Sequence, residues 1–375
     1  MKNSLPLAII ALAILISLNK AFAVESTNST KIAYDETLRV DVWTSYAPIE
    51  AINDFKKIIL KKYNKNINIE ARVVLTPDEF FDRVRSGQTD IFSPSHNFLK
   101  DERTEFIKHN LVLPISIEEV PNLALVESRY ITNSFVTENK KLYGIPAAAG
   151  GYSLLYNKDF IKTAPTSWNV LWDPKYKNKY ALSKGFYEAN IYITALALGF
   201  KPEDISNLNK IDTPQFKSKL KALLTNARFW DGAPKMKDLE GVVFTTAWGI
   251  TGSVKDDVDN KWIFSFPQEG VTFWTDYLSV TTAVNRSPFA RKLAFEWLDM
   301  VLSKSYQTKY ITEKSKYLSP TPGAISHKVF AGKISNEEAL KYLNTKSVYW
   351  PIISTRTRNG LKYIYDKVLK EAMSD

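Results

Sequence analysis

The sequence has no cysteine and only three histidines, His96, His109 and His327. Without cysteine there is no disulfide scaffold, no thiol nucleophile and no residue for a lipid anchor. So few histidines leave little material for imidazole-based catalysis or metal ligation. No Gly-x-Ser-x-Gly, His-Glu-x-x-His or phosphate-binding loop occurs, so no cofactor, metal or enzymatic activity is expected. A hydrolase built on paired carboxylates, as in glycosidases, is the enzyme class that motifs alone leave open. Arginine-rich blocks are missing too. The lysines of 56–65 and 175–179 are scattered among other residue types, so the formal charge of +10 reads as solvated surface and no nucleic-acid partner is expected.

The single long apolar run stands at the N-terminus. Lys2 precedes an apolar stretch from Leu5 to Leu18, and Ala21-Phe22-Ala23 has the small-x-small form of a signal-peptidase site. The run is shorter than the roughly 20 residues a spanning helix needs. Residues 1–23 therefore read as a signal peptide cleaved after Ala23, followed by a flexible polar leader over 24–35. Export without a lipid anchor points to the periplasm of a double-membraned bacterium. The remaining length suggests two domains.

Leu38 to Trp43 and Ile67 to Val74 alternate as strands, with an amphipathic stretch from Ile49 to Tyr63 between them. Pro77 opens a second helix with Thr76 as its expected cap, and Asp90 to Ser95 is a short strand running into a loop. Strand and helix alternate again from Gly144 to Trp248, the rhythm of sheets flanked by helices. Helices are expected from Pro288 to the C-terminus.

The stretch Gly270-Val271-Thr272-Phe273-Trp274-Thr275-Asp276-Tyr277 carries the chemistry. Residues two apart on a strand share a face, so one strand end presents the Trp274 indole and the Asp276 carboxylate together. An aromatic face beside an anion suits an organic ammonium.

Several fragments in order carry a resemblance: Val42 to Tyr46, Asp90 through Pro94-Ser95, Gly144-Ile145-Pro146, and Thr166-Ser167-Trp168 with Leu171 to Lys177. Ala247-Trp248, Phe266 to Gly270 running into Trp274-Thr275-Asp276, and Ser319 to Pro322 complete the series. Through them the chain resembles the periplasmic solute-binding proteins of ABC importers, bacterial extracellular family 1, in their spermidine/putrescine-binding branch. The resemblance implies an α/β fold of two lobes, the type II periplasmic binding fold. Each lobe would be a mostly parallel sheet flanked by helices, with a ligand cleft between them. It implies one lobe from 36–143 plus 277–322, and another from 144–276 plus 323–375 with the C-terminal helices. It further implies a monomer that carries a small cationic amine to an inner-membrane permease.

By the same resemblance Trp43 and Tyr46 follow the first strand as ligand aromatics, with Ser45 where polyamine binders carry a glutamate. Ser95 and Asn97 lie in the loop after the third strand, beside His96. Trp248, Trp274 and Asp276 form the second lobe's wall, Glu188 is a second carboxylate, and Ser319 stands where the family carries tyrosine. The missing glutamate at Ser45 keeps a quaternary amine such as choline or a betaine as the alternative ligand. A protein that only offers an interaction surface is the third class, recognised by the lack of any small-molecule response.

Overall fold

Alternation in the first strand puts Leu38, Val40 and Val42 inside. From that strand the computed structural model builds a repeated strand–helix unit. It describes residues 33–374, apart from 75, 250–253, 255, 256, 258, 260 and 325–335. The expected signal peptide and most of the leader lie outside these residues. Strand β1 (Glu36–Val42) leads to helix α1 (Ile49–Tyr63), β2 (Ile67–Val73), α2 (Pro77–Arg85) and the short β3 (Ile91–Phe92). Helix α1 buries Ala51, Ile52, Phe55 and Ile59 along one stripe and stops at Asn64, whose φ of 52° ends the helix in the left-handed region. β1 pairs in parallel with both β2 and β3.

Two expectations for this region are corrected. Thr76 stands at the N-cap of α2, as expected, but its side chain accepts no backbone N–H; its hydroxyl donates instead to the Glu79 carboxylate, 3.1 Å away. Asp35, the last residue of the expected flexible leader, is held in place. Its N–H donates to the Asn66 carbonyl and its carboxylate takes Lys65 and the Asn66 N–H.

After the hairpin β4 (Thr137–Glu138) and β5 (Lys141–Leu142) comes β6 (Ile145–Asn157), buried along all 13 residues. Then follow β7 (Tyr180–Ser183), helix α3 (Tyr187–Ala197), helix α4 (Pro214–Thr225), β8 (Ala227–Trp230), β9 (Phe244–Trp248), β10 (Trp262–Phe264) and β11 (Val271–Val280). The strand order is β2-β1-β3-β11-β6-β9-β7-β8. β3 bonds the far end of β11 at Ser279 and Val280, whereas β9 bonds the far half of β6 from Tyr152 to Tyr156. Strands β6 and β11 thus run antiparallel through both halves of the sheet, carrying the chain from one half to the other and back.

Helix α5 (Pro288–Leu302) starts at Ser287, whose hydroxyl accepts the Ala290 N–H, and packs on β1 and β6. The expectation of helices alone to the C-terminus is corrected. Between α6 (Asn336–Lys346) and α7 (Thr355–Ser374), β12 (Ser347–Tyr349) adds to β11 in parallel. Its three residues are too few to show a period. Helix α7 packs on α4 and α3. Gly270 permits β12 to dock beside β11. Its φ is +91°, and a Cβ there would stand 2.1 Å from the Lys346 carbonyl oxygen.

The first half is pinned by Asp90, whose carboxylate is wholly buried between Arg39 and Arg286. Burial would raise its pKa, but hydrogen bonds from Arg39 and Arg286 hold the carboxyl below its usual value. Such a group lends stability above the unfolded carboxyl's pKa and loses it as pH falls through the folded one. Asp90→Ala leaves two arginines facing an empty socket. Urea unfolding at pH 7 is expected to show a loss of about 3–5 kcal/mol, shrinking in acid.

Candidate ligand-binding site

Pairing of β11 with β6 sets Trp274 opposite Gly150 and Asp276 opposite Ala148, while Tyr152 on β6 faces Trp248 on β9. Opposed residues of antiparallel strands share a face, so Asp276, Trp274 and Trp248 look the same way. The shared face expected from the Trp274–Asp276 spacing is present. The indole of Trp274 lies directly on Gly150, where a Cβ would come within 2.6 Å of its ring. Beyond Asp276 the register slips, and Tyr277 faces Pro146, with Ala147 left over as a bulge. Gln307 donates to the freed Ala147 carbonyl, and Ser319 donates to Gln307 at 2.8 Å. Ser319 therefore supports the bulge from behind, and its hydroxyl is already engaged.

Asp276 is buried, at 8% exposure. Tyr46 donates to one of its oxygens at 2.8 Å and Ser95 to the other at 2.6 Å. Both donors come from loops at the carboxyl ends of β1 and β3. Among the described residues no lysine or arginine forms an ion pair with it. Burial pushes its carboxyl up to about 6, with the Ser95 and Tyr46 hydrogen bonds opposing. Tyr317, absent from the sequence-derived set, closes this group. Its ring stands edge-on to Trp274 at 5.2 Å and lies 6.3 Å from Tyr46. Its hydroxyl is pushed up to about 12 by burial first and the Asp276 charge second. Tyr306 donates to the Tyr46 carbonyl and so steadies that loop.

The second aromatic group gathers around Trp248, with Tyr152 at 4.7 Å, Phe186 at 4.9 Å and Trp350 at 5.3 Å. Trp350, which follows β12, and Phe186, exposed at the start of α3, were also missing from that set. No local pattern marks Trp350, whose place depends on the docking of β12.

The other candidates have the following surroundings. Trp43 packs edge-on to Phe80 at 4.7 Å and stands 6.4 Å from Phe98, joining β1 to α2. Ser45 is exposed with φ 84° and lines a small surface pocket with Trp43 and the end of β2, on the sheet's edge. Asn97 is half-buried beside His96. His96 is buried, with Nε2 2.8 Å from the Trp350 carbonyl and Nδ1 3.4 Å from the Thr275 N–H. Phe135 and Tyr349 flank its ring. It joins the β3 loop to β12, and burial lowers its pKa to about 4. Glu188 is no free carboxylate: Arg358 donates to it at 2.8 Å and Tyr187 at 3.3 Å.

The ligand-free protein pays for holding Asp276 charged. Burial pushes its folded carboxyl up to about 6, above the ordinary aspartate value. A raised pKa contributes stability below the unfolded value and loses it as pH rises through the folded one. Asp276→Asn is therefore expected to stabilise the ligand-free protein at pH 7.5 by about 2–3 kcal/mol. Urea unfolding at pH 4 should show no gain.

Comparison with known proteins agrees with this architecture. A family model described as bacterial extracellular solute-binding protein matches residues 88–349. The spermidine/putrescine-binding periplasmic protein of Salmonella typhimurium is 25% identical over 319 residues, covering 82% of this chain and 83% of its own. The spermidine/putrescine ABC transporter substrate-binding protein of Streptococcus pneumoniae superposes with a TM-score of 0.71 at 16% identity, over 90% of this chain and 99% of its own. A solute-binding protein from Thermotoga lettingae bound with α-D-tagatose superposes with a TM-score of 0.68 at 15% identity, covering 90% and 95%. The shared fold is thus the two-lobed α/β fold of periplasmic binding proteins, and it hosts chemically unlike ligands. Proteins of this kind bind solutes and are not enzymes. The chain belongs to the bacterial extracellular solute-binding protein family.

Proposed function

We propose that this protein is the periplasmic substrate-binding component of an ABC importer, carrying a small cationic amine of the putrescine or spermidine kind. The observation that supports this most is Asp276, a buried carboxylate held, among the described residues, by two hydroxyls beside the rings of Trp274 and Tyr317. An anion so placed is destabilised by burial until a cation reaches it. The polyamine-binding name of the Salmonella typhimurium relative favours the same ligand class.

In this reading lobe 1 comprises 36–143 and 277–322, and lobe 2 comprises 144–276 and 323–375. Tyr46 and Ser95 come from the first lobe and Trp248 from the second. Asp276 sits on the strand that joins them. A ligand that touches both lobes shifts the population towards the closed form, which then meets the inner-membrane permease. Export follows from cleavage of residues 1–23, and the carrier works as a monomer. Among the described residues no helix is long and apolar enough to cross a membrane.

A second reading, a quaternary amine such as choline or a betaine, is favoured by one observation. Glu188 is taken by Arg358 and Ser45 carries no charge, so among the candidate residues Asp276 is the one carboxylate left for the ligand. An aromatic wall with one anion is enough for such a cation.

A thermal-shift screen with putrescine, spermidine, choline and glycine betaine, followed by calorimetry, separates these readings. Asp276→Ala is expected to weaken amine binding by about 2–5 kcal/mol. The carboxyl titrates near 6 while the amine stays charged, so wild-type affinity should fall about tenfold from pH 8 to pH 5. No response to any amine, with a response to sugars or anions instead, would sink the proposal.

A further inference from the structure

Glu188 lies in the first turn of α3, two residues beyond Phe186, whose ring rests on Trp248. It therefore stands at the carboxyl end of β7, where sheets of this kind present groups to ligand. Asp101 lies in the loop after β3, the loop that also brings Ser95 to Asp276. Arg358, in the first turn of α7, spans these two places. One guanidinium nitrogen donates to Glu188 at 2.8 Å and another to Asp101 at 2.6 Å. Arg103 shares Asp101 at 2.9 Å, and Glu102 accepts the Thr355 N–H at 2.8 Å. Asp101 and Glu188 are thus balanced by Arg103 and Arg358. Asp276, by contrast, has no lysine or arginine ion pair among the described residues. The arginine side chain is 16% exposed and that of Glu188 17%, so the pair is shielded enough to matter.

We propose that Arg358 is a resident cation that neutralises Glu188 and determines specificity. The cleft then pairs one ligand ammonium, at Asp276, and gives no advantage to a second. This rests on the amine reading above and deepens it. A polyamine still fits, held by one end, with its chain on the aromatic side chains.

The test compares putrescine with 1-aminobutane, which has the same four-carbon chain and one charge fewer. In calorimetry the wild-type protein should bind the two within about fivefold, less than the tenfold that 1.4 kcal/mol of extra pairing would give. Arg358→Gln frees Glu188 and should move the ratio at least about fivefold towards putrescine, by the same conversion. The double variant Glu188→Gln/Arg358→Gln leaves no unpaired charge and should restore the wild-type ratio. A wild-type preference for putrescine beyond that limit overturns the inference. So does an unchanged ratio in Arg358→Gln, which would make Arg358 a structural tie only. If that variant does not fold, a double variant that favours putrescine overturns it equally. Should neither amine bind the wild type, or both bind Asp276→Asn as well, the amine reading falls and this inference with it.

Discussion

The pairing of β6 with β11 is the constraint on which the other features depend. Both strands are buried along their whole length, and each hydrogen-bonds a different partner at its far end. They cannot slip, because a one-residue shift would turn every side chain to the opposite face. The one permitted irregularity is the bulge at Ala147, and it falls opposite the step from Asp276 to Tyr277. The carboxylate is thereby fixed at the junction of the two halves. Loops from the first half can reach it there.

That placement explains why so polar a group survives in an apolar setting. Two hydroxyls satisfy its oxygens but do not cancel its charge. Neutral hydrogen bonds stabilise a carboxylate less than an arginine does, and burial remains the larger effect, so its proton affinity rises. Asp90 shows the contrast within the same chain. It is buried too, yet two arginines hold it ionised and make it part of the framework. Asp90 is given cations, and among the described residues the candidate ligand acid is not.

Much of the strand and helix pattern could be read from the sequence, because it depends on local periodicity. The alternation of Leu38, Val40 and Val42, the buried stripe of α1 and the shared face of Trp274 and Asp276 all follow from the pleat or the turn of a short segment. Glu188 shows where this stops. The resemblance implied a second ligand carboxylate there, but Arg358 lies far along the chain and took it. Trp350 and Tyr317 were passed over for the same reason, since nothing beside them in sequence marks an aromatic that will meet Trp248 or Trp274.

What the sequence determined by itself was the facing of side chains along each element, and the chemistry that a tryptophan and an aspartate two apart can offer. Only tertiary structure decided which hydroxyls reach Asp276, that Gly150 makes room for the indole, and that one carboxylate is compensated while another is not. The reason is physical. Facing is set by backbone geometry over a few residues, whereas the energy of a charge depends on what surrounds it, and those neighbours arrive from loops and helices distant in the chain.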